Sequence, residues 1–342
     1  MRPKTGLRSL LFAVFFRPAA LALVAVYTAL PGPLLADFPA SSIVSVRNHD
    51  AQHLTLAVHS GSMNMDIPVD VQLAADASVP RPALYLLLGA AAGTDGATWS
   101  SRTDALEFLA DKNVNVVTPL GGRASYYADW EVDDSRFGRQ RWKTFLTEEL
   151  PPLLDNFLKT NGRNAIAGYS MSATSALSLA ATTHGRYSSV AAYSGCAQIS
   201  DPIGQEFLRL TLSVEQQRMA DIEEMYGPVG GPRWAENDPY VQAEGLRGKS
   251  IYISNGSGLP GDFDQLGGQY TLPGPIGFAN QVLVGGVIES AANYCAHNMQ
   301  ARLAQLAIPA RYNFTPQGTH SWGYWQEALK DSWPILAAPL GL

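Results

Sequence analysis

The stretch Asn164-Ala-Ile-Ala-Gly-Tyr-Ser-Met-Ser-Ala173 constrains this chain more than any other. A short apolar run leads into Gly168-Tyr-Ser-Met-Ser172, and Ala173-Thr-Ser-Ala-Leu-Ser-Leu-Ala-Ala181 follows, rich in small, helix-compatible residues. Strand, tight turn and helix in that order is the setting of a nucleophile elbow, in which a serine is forced onto a sharp turn. There the Ser170 Oγ stands above the sheet and the next backbone N–H, that of Met171, faces a developing oxyanion. The usual pattern G-x-S-x-G ends in glycine; here it ends in Ser172, still small enough for the helix to start close against the strand. An ordinary Ser/Gly turn between strand and helix is the competing reading of five residues taken alone.

The surrounding pattern supplies the context that an elbow needs. Leu54–Val58 and Met65–Leu73 read as strands joined near Gly61. Ala83–Leu88 and Val114–Thr118 are continuous apolar runs of the kind buried on both faces of a sheet. Later strands are expected at Val190–Tyr193, Lys249–Ser254 and Ala310–Phe314. Helical spacing appears near Thr103–Ala110 and over Trp142–Leu158, where Pro151 and Pro152 demand a kink or a restart. Strands alternating with helices predict an α/β fold with a mainly parallel sheet covered on both faces. Residues 201–247 have helical patches without a strand signal and read as an insertion capping the sheet's C-terminal edge. Residues 260–277 read as a long Gly/Pro surface loop.

Length and charge narrow the class further. A chain of 342 residues with 46% hydrophobic and 16% charged residues is globular, and nothing in it separates two domains. Its net charge is -6; residues 1–36 hold Arg2, Lys4, Arg8 and Arg17 and no acid, so the rest carries -6 - 4 = -10. An acidic body speaks against nucleic acid as partner. The basic start, the apolar runs Leu10–Phe16 and Ala19–Leu30, and Leu34 and Ala36 before Asp37 predict an export signal over 1–36, with 37–342 as the folded domain. An uncleaved anchor is the alternative, weakened by Arg17 within the apolar run. Cys196 and Cys295 are the only cysteines. In an exported chain such a pair predicts one disulfide, worth roughly 4–5 kcal/mol in the loop-entropy account, against two buried free thiols.

A serine nucleophile needs a base and an acid that orients it, and in this kind of fold they follow the serine as acid, then histidine. His49, His53 and His59 precede the elbow, His184 lies at the end of its helix and His297 within a predicted helix. His320 sits in the turn-rich Pro316–Tyr324 after the last strand, where the base belongs. Asp262, Asp264 and Glu289 are candidates for the acid, and residue chemistry alone leaves that choice open. Loop amides at Gly89, Ala90 and Ala91 are available as the second oxyanion donor.

Seven ordered blocks resemble one family, the secreted mycolyltransferases typified by the mycobacterial antigen 85 proteins. They are Ser62–Ile67, Ala83–Gly89, Gly121–Trp130, Trp142–Pro151, Gly168–Ser172, Asn237–Pro239 and Gly318-Thr-His-Ser-Trp322. The resemblance implies a single α/β-hydrolase domain with a Ser170, Glu289, His320 triad, oxyanion amides from Met171 and Ala90, and neither metal nor organic cofactor. Glu289 is chosen because the family's glutamate opens a helix about thirty residues before its histidine. Trp322 is expected to line the site. Leu88 and Ala91 are expected to border the substrate, where sugar-binding members carry an aspartate and an arginine, so acyl chemistry is implied more firmly than the acceptor. The family's usual cysteine pair is also missing from Val132–Arg139. The implied partners are a mycolate glycolipid, trehalose monomycolate, as donor and a hydroxyl acceptor in the cell envelope. A secreted esterase using water as acceptor, and a wall- or matrix-binding protein with a vestigial site, are the rival readings.

Overall fold

Three strands open the described part of the chain: β1 (Ser42–Asn48), β2 (His53–Ser60) and β3 (Met65–Gln72), paired as an antiparallel meander. The computed structural model describes residues 39–216 and 221–342. The export signal expected over 1–36 lies outside the described residues. β1 was not expected from sequence; it is an exposed edge strand, so no buried face imposes a period on its residues.

The apolar runs form β4 (Ala83–Leu87), β5 (Asn115–Pro119), β6 (Asn164–Tyr169) and β7 (Ser189–Tyr193), each buried along its whole length, followed by β8 (Ser250–Asn255) and β9 (Arg311–Phe314). Among the described residues nine strands make one sheet in the order β1-β2-β3-β5-β4-β6-β7-β8-β9. β3 meets β5 antiparallel, and every pairing from β5 to β9 is parallel. The period of two divides each strand between two cores: Tyr85 and Leu87 join one, Leu84, Leu86 and Leu88 the other.

Helices fill the connections. After β4 come α1 (Trp99–Arg102) and α2 (Ala105–Leu109); after β5, α3 (Trp142–Thr144), a π-helical turn (Phe145–Glu149) and α4 (Leu150–Leu158). α5 (Met171–Thr182) follows β6. α6 (Pro202–Gln216), α7 (Glu223–Tyr226) and α8 (Pro232–Asn237) make the helical insertion expected over 201–247. α9 (Gly274–Asn280), a second π-helical turn (Gln281–Gly285) and α10 (Gly286–Gln305) form one continuous rod after β8, and α11 (Trp322–Ala337) closes the fold. The rod shortens the Gly/Pro loop expected over 260–277, since helix begins at Gly274. Pro151 and Pro152 do not break their helix: the π turn, closed by Leu150 N–H to the Phe145 carbonyl, puts them at the start of α4, where a missing donor costs little.

Among the described residues no helix is long and apolar enough to cross a membrane. Cys196 and Cys295 are bonded, with Cα atoms 4.9 Å apart, so the predicted disulfide ties the segment after β7 to α10. That leaves neither thiol free.

Candidate active site

The elbow forms because three small residues let β6 and α5 approach. A Cβ at Gly168 would stand 2.5 Å from Ser172 Oγ and 2.6 Å from the Ser172 carbonyl oxygen, and one at Gly195 would stand 2.4 Å from Ala173 Cβ. Ser172 does more than keep the volume small. Its hydroxyl donates to the Tyr169 carbonyl at 2.9 Å and accepts the Tyr169 N–H at 3.0 Å, closing the turn that a glycine there would leave open. Ser170 itself is held at φ 55°, ψ -127°, a conformation that a side chain rarely adopts and that a packed site must enforce. Its N–H donates to the Tyr193 carbonyl at 2.9 Å.

Parallel strands put their C-terminal ends, and the loops that follow, along one edge, where ligands bind in open α/β sheets. Ser170 after β6, Ser194 after β7 and His320 after β9 all lie there. His320 Nε2 is 2.8 Å from Ser170 Oγ, and His320 Nδ1 is 2.9 Å from Glu289 Oε2. Glu289 is fully buried, in the first turn of α10. Its Oε1 accepts from Ser194 Oγ at 2.8 Å and from the Gly256 N–H at 2.7 Å, so three donors satisfy the carboxylate and fix its plane. The His320 ring rests edge-on against Trp325 at 5.0 Å between centroids.

Of the three acids left open by residue chemistry, Glu289 alone reaches His320. Asp264 is not solvated in its loop: it is buried and accepts from Gln281 Nε2, Thr319 Oγ1, Tyr324 Oη and the Gly261 N–H. It therefore anchors the 256–264 loop against the turn carrying His320. Asp262 is exposed at the rim of that loop.

A cavity of about 150 Å³ opens above Ser170, bounded by His320, Met171, Ala90, Tyr126 and Thr174 below and by α6 above. Met171 and Ala90, the expected amide donors, thus both belong to its wall. Tyr126 is set by the tightly wound loop after β5, where Ala124, Tyr126 and Tyr127 all have positive φ. The Tyr126 carbonyl accepts from Ser175 Oγ of α5 at 2.6 Å. Burial pushes the Tyr126 phenol up to about 12, partly opposed by its hydrogen bond with Thr211, so the cavity wall stays neutral there.

Phe207, Leu210 and Ile288 also border a second, almost wholly apolar groove of about 360 Å³ between α6 and α10. Val287, 71% exposed, and Leu210, 49% exposed, face it. The groove was not foreseen from sequence, because its two walls lie about eighty residues apart in the chain. Ser194 was missed as well; a Ser-Gly pair directly after a buried strand was the available signal.

Two expectations change. Leu88 is fully buried in the core beneath α1, beside Trp99, and cannot touch a substrate; the alternation along β4 turns its side chain away from the cavity. Trp322 packs its ring on Tyr169 at 4.7 Å, on Trp325 at 5.1 Å and on Trp99 at 5.7 Å, which makes it a support for the elbow strand rather than part of the cavity wall above Ser170. Ala91 is half-buried in the loop after β4, its carbonyl accepting from Thr94.

A serine, a buried carboxylate and a histidine joined in that chain order above a parallel sheet define an esterase-type serine hydrolase of the α/β-hydrolase fold. The esterase family model matches residues 60–335. The diacylglycerol acyltransferase/mycolyltransferase Ag85A of Mycobacterium leprae is 34% identical over 294 residues, spanning 84% of this chain and 83% of its own length. Ag85B of Mycobacterium intracellulare is 32% identical over 296 residues with the same coverage. Mycobacterium tuberculosis MPT51 has the same fold, with a TM-score of 0.70 at 25% identity over 85% of this chain and 100% of that one. An S-formylglutathione hydrolase from Agrobacterium tumefaciens shares the fold at a TM-score of 0.61 and 16% identity, covering 88% of this chain and 100% of its own. The chain belongs to the esterase family and, within it, to the antigen 85 mycolyltransferase group.

Proposed function

We propose that the protein is a serine acyltransferase that moves a mycoloyl group from trehalose monomycolate to a hydroxyl acceptor in the cell envelope. One observation carries the reading: the Ser170–His320–Glu289 hydrogen-bonded chain opens into a cavity that shares its wall with a long apolar groove. Ser170 Oγ attacks the donor's ester carbonyl while His320 Nε2 takes its proton. Glu289, buried and oriented by Ser194 and Gly256, keeps the imidazole's Nδ1 protonated and stabilises the imidazolium. The amides of Met171 and Ala90 receive the tetrahedral oxyanion, each such donor being worth about 3–4 kcal/mol. The trehalose oxygen leaves with the proton from His320, giving an acyl-Ser170 intermediate. An acceptor hydroxyl then gives its proton to His320 and takes the acyl group, restoring Ser170.

The groove between α6 and α10 suits the acyl chain. Burying methylenes there stabilises the bound chain by about 0.8 kcal/mol each. Export through the 1–36 signal, with the 37–342 domain acting at the cell envelope, completes the reading. The loss of the arginine at Ala91 favours an acceptor held differently from trehalose, or water as acceptor. The test is mass spectrometry of products from trehalose monomycolate with trehalose, arabinan fragments or no acceptor. Acylated acceptor supports the transferase; free mycolic acid as sole product under every condition makes the protein a hydrolase.

A further inference from the structure

The turn that carries His320 has no strand or helix of its own. β9 ends at Phe314 and α11 begins at Trp322, so residues 315–321 depend for their place on what they touch. Their main support is the loop after β8, residues 256–273, which has neither strand nor helix either. Main-chain bonds join the two at Gly318: its N–H donates to the Leu259 carbonyl at 2.7 Å, and its carbonyl accepts from the Gly258 N–H at 2.9 Å. One loop propped on another thus places the base. A triad tolerates little of such freedom, since a displacement of about 1 Å can cost about 100-fold in rate.

Asp264 is the side chain that stiffens this arrangement. It is buried, and its two oxygens accept four hydrogen bonds. Oδ2 takes the Gly261 N–H at 2.9 Å, which closes the loop on itself, and the Tyr324 phenol of α11 at 2.6 Å. Oδ1 takes Thr319 Oγ1 and Gln281 Nε2, the latter at 2.8 Å. Donors on every side satisfy the buried charge and make a rigid hub.

The two donors on Oδ1 come from the two segments that carry the triad's base and acid. Thr319 is fully buried and adjoins His320 in the chain. Gln281, also buried, opens the π-helical turn that continues into α10, the helix that brings Glu289 to His320. At the end of that turn Gly285 lies against the His320 main chain, where a Cβ would stand 3.6 Å from the His320 nitrogen. A single carboxylate oxygen therefore ties the segment bearing the base to the rod bearing the acid.

We propose that Asp264 is a positioning residue for the triad, which through Thr319 sets where His320 stands relative to Glu289 and Ser170. Asp264 is not part of the cavity wall above Ser170 and acts only through its neighbours. The inference rests on the Ser170–His320–Glu289 reading of the site.

Thr319→Val tests it, because the side chain keeps its volume and loses only the hydroxyl. For hydrolysis of a short p-nitrophenyl ester, kcat should fall about tenfold or more while KM stays within about threefold. Thr319→Ser, which restores the hydroxyl, should bring kcat back to within about threefold of the parent. Proton NMR supplies a second readout. The far-downfield imidazole N–H resonance of His320, bonded to Glu289, should shift or broaden in Thr319→Val and return in Thr319→Ser. Ser257→Ala is the control for mere loosening: Ser257 Oγ donates to the Pro316 carbonyl at 2.7 Å, so it joins the same two segments away from Thr319. It should leave both kcat and the resonance in place. Asp264→Asn must keep its carbonyl towards the Gly261 N–H and turn its NH2 towards Thr319, so it should reproduce the fall in kcat; its readings decide the matter if Thr319→Val does not fold. An unmoved resonance with kcat within about threefold in Thr319→Val overturns the proposal. So does an equal loss in Ser257→Ala, and so does Thr319→Ser remaining as slow as Thr319→Val. If Ser170→Ala hydrolyses the ester as fast as the parent, the triad reading falls and takes this one with it; activity that depends on Ser170 but is indifferent to Thr319→Val overturns this proposal alone.

Discussion

Replacing Glu289 by glutamine exchanges one oxygen for an NH2 group, and the structure says which oxygen survives. Oε1 accepts from both Ser194 Oγ and the Gly256 N–H, whereas Oε2 accepts only from His320 Nδ1. A hydroxyl can turn round to accept; a backbone N–H cannot. The glutamine carbonyl therefore takes the Oε1 position and its NH2 points at His320. To avoid two facing donors, the imidazole moves its proton to Nε2, which then donates to Ser170 Oγ instead of accepting from it. The base is lost although its geometry remains. In serine protease triads the equivalent change costs about 10⁴-fold in kcat, or about 5.4 kcal/mol at 1.36 kcal/mol per decade. The same loss is expected here for hydrolysis of a short p-nitrophenyl ester. Side-chain volume is unchanged, so the thermal midpoint should shift little. Because the triad acts as one unit, Ser170→Ala/Glu289→Gln should be no slower than Ser170→Ala. Activity of Glu289→Gln within tenfold of the parent would refute the tautomer argument and the role given to Glu289.

Three further outcomes follow from the packing. Gly168→Ala forces a Cβ to within 2.5 Å of Ser172 Oγ. The strain should cost about 1–3 kcal/mol in stability, read by denaturant titration, and the displaced Ser170 about 100-fold in kcat. Reducing the Cys196–Cys295 disulfide removes a cross-link over a sequence separation of 99, worth roughly 4 kcal/mol. Calorimetry should show a fall in midpoint of about 6–8 °C for a chain of this size. Leu210→Asp puts a charge in the groove between α6 and α10. In the parent, kcat/KM should rise by up to about fourfold per methylene of the acyl chain, the equivalent of about 0.8 kcal/mol. The substitution should flatten that slope while leaving the shortest ester within a few-fold.

The sequence made the parallel core legible because strands β4 to β7 are buried on both faces and so must be apolar throughout. The elbow was legible for a different reason: backbone collisions at Gly168 and Ser172 admit few residues. β1 left no such mark, being exposed along nearly its whole length. α11 escaped because Gly318–Trp322 drew the reading towards His320, away from the helix that starts at Trp322. Glu289 could not be chosen by residue chemistry, since its partners Ser194, Gly256 and His320 lie on three different loops and meet only in the folded chain. Leu88 shows the opposite failure. Its position in a familiar block suggested a contact with substrate, but the period of two along β4 sends its side chain into the core. The apolar groove beside α6 was invisible for the same reason as the Glu289 partners.

Intact-protein mass spectrometry, followed by peptide mapping after brief exposure to trehalose monomycolate, tests the central claim most directly. The account predicts one mycoloyl adduct on the peptide carrying Ser170, absent in Ser170→Ala and discharged faster by a hydroxyl acceptor than by water. Turnover without that adduct, or an adduct on another residue that survives Ser170→Ala, would contradict it.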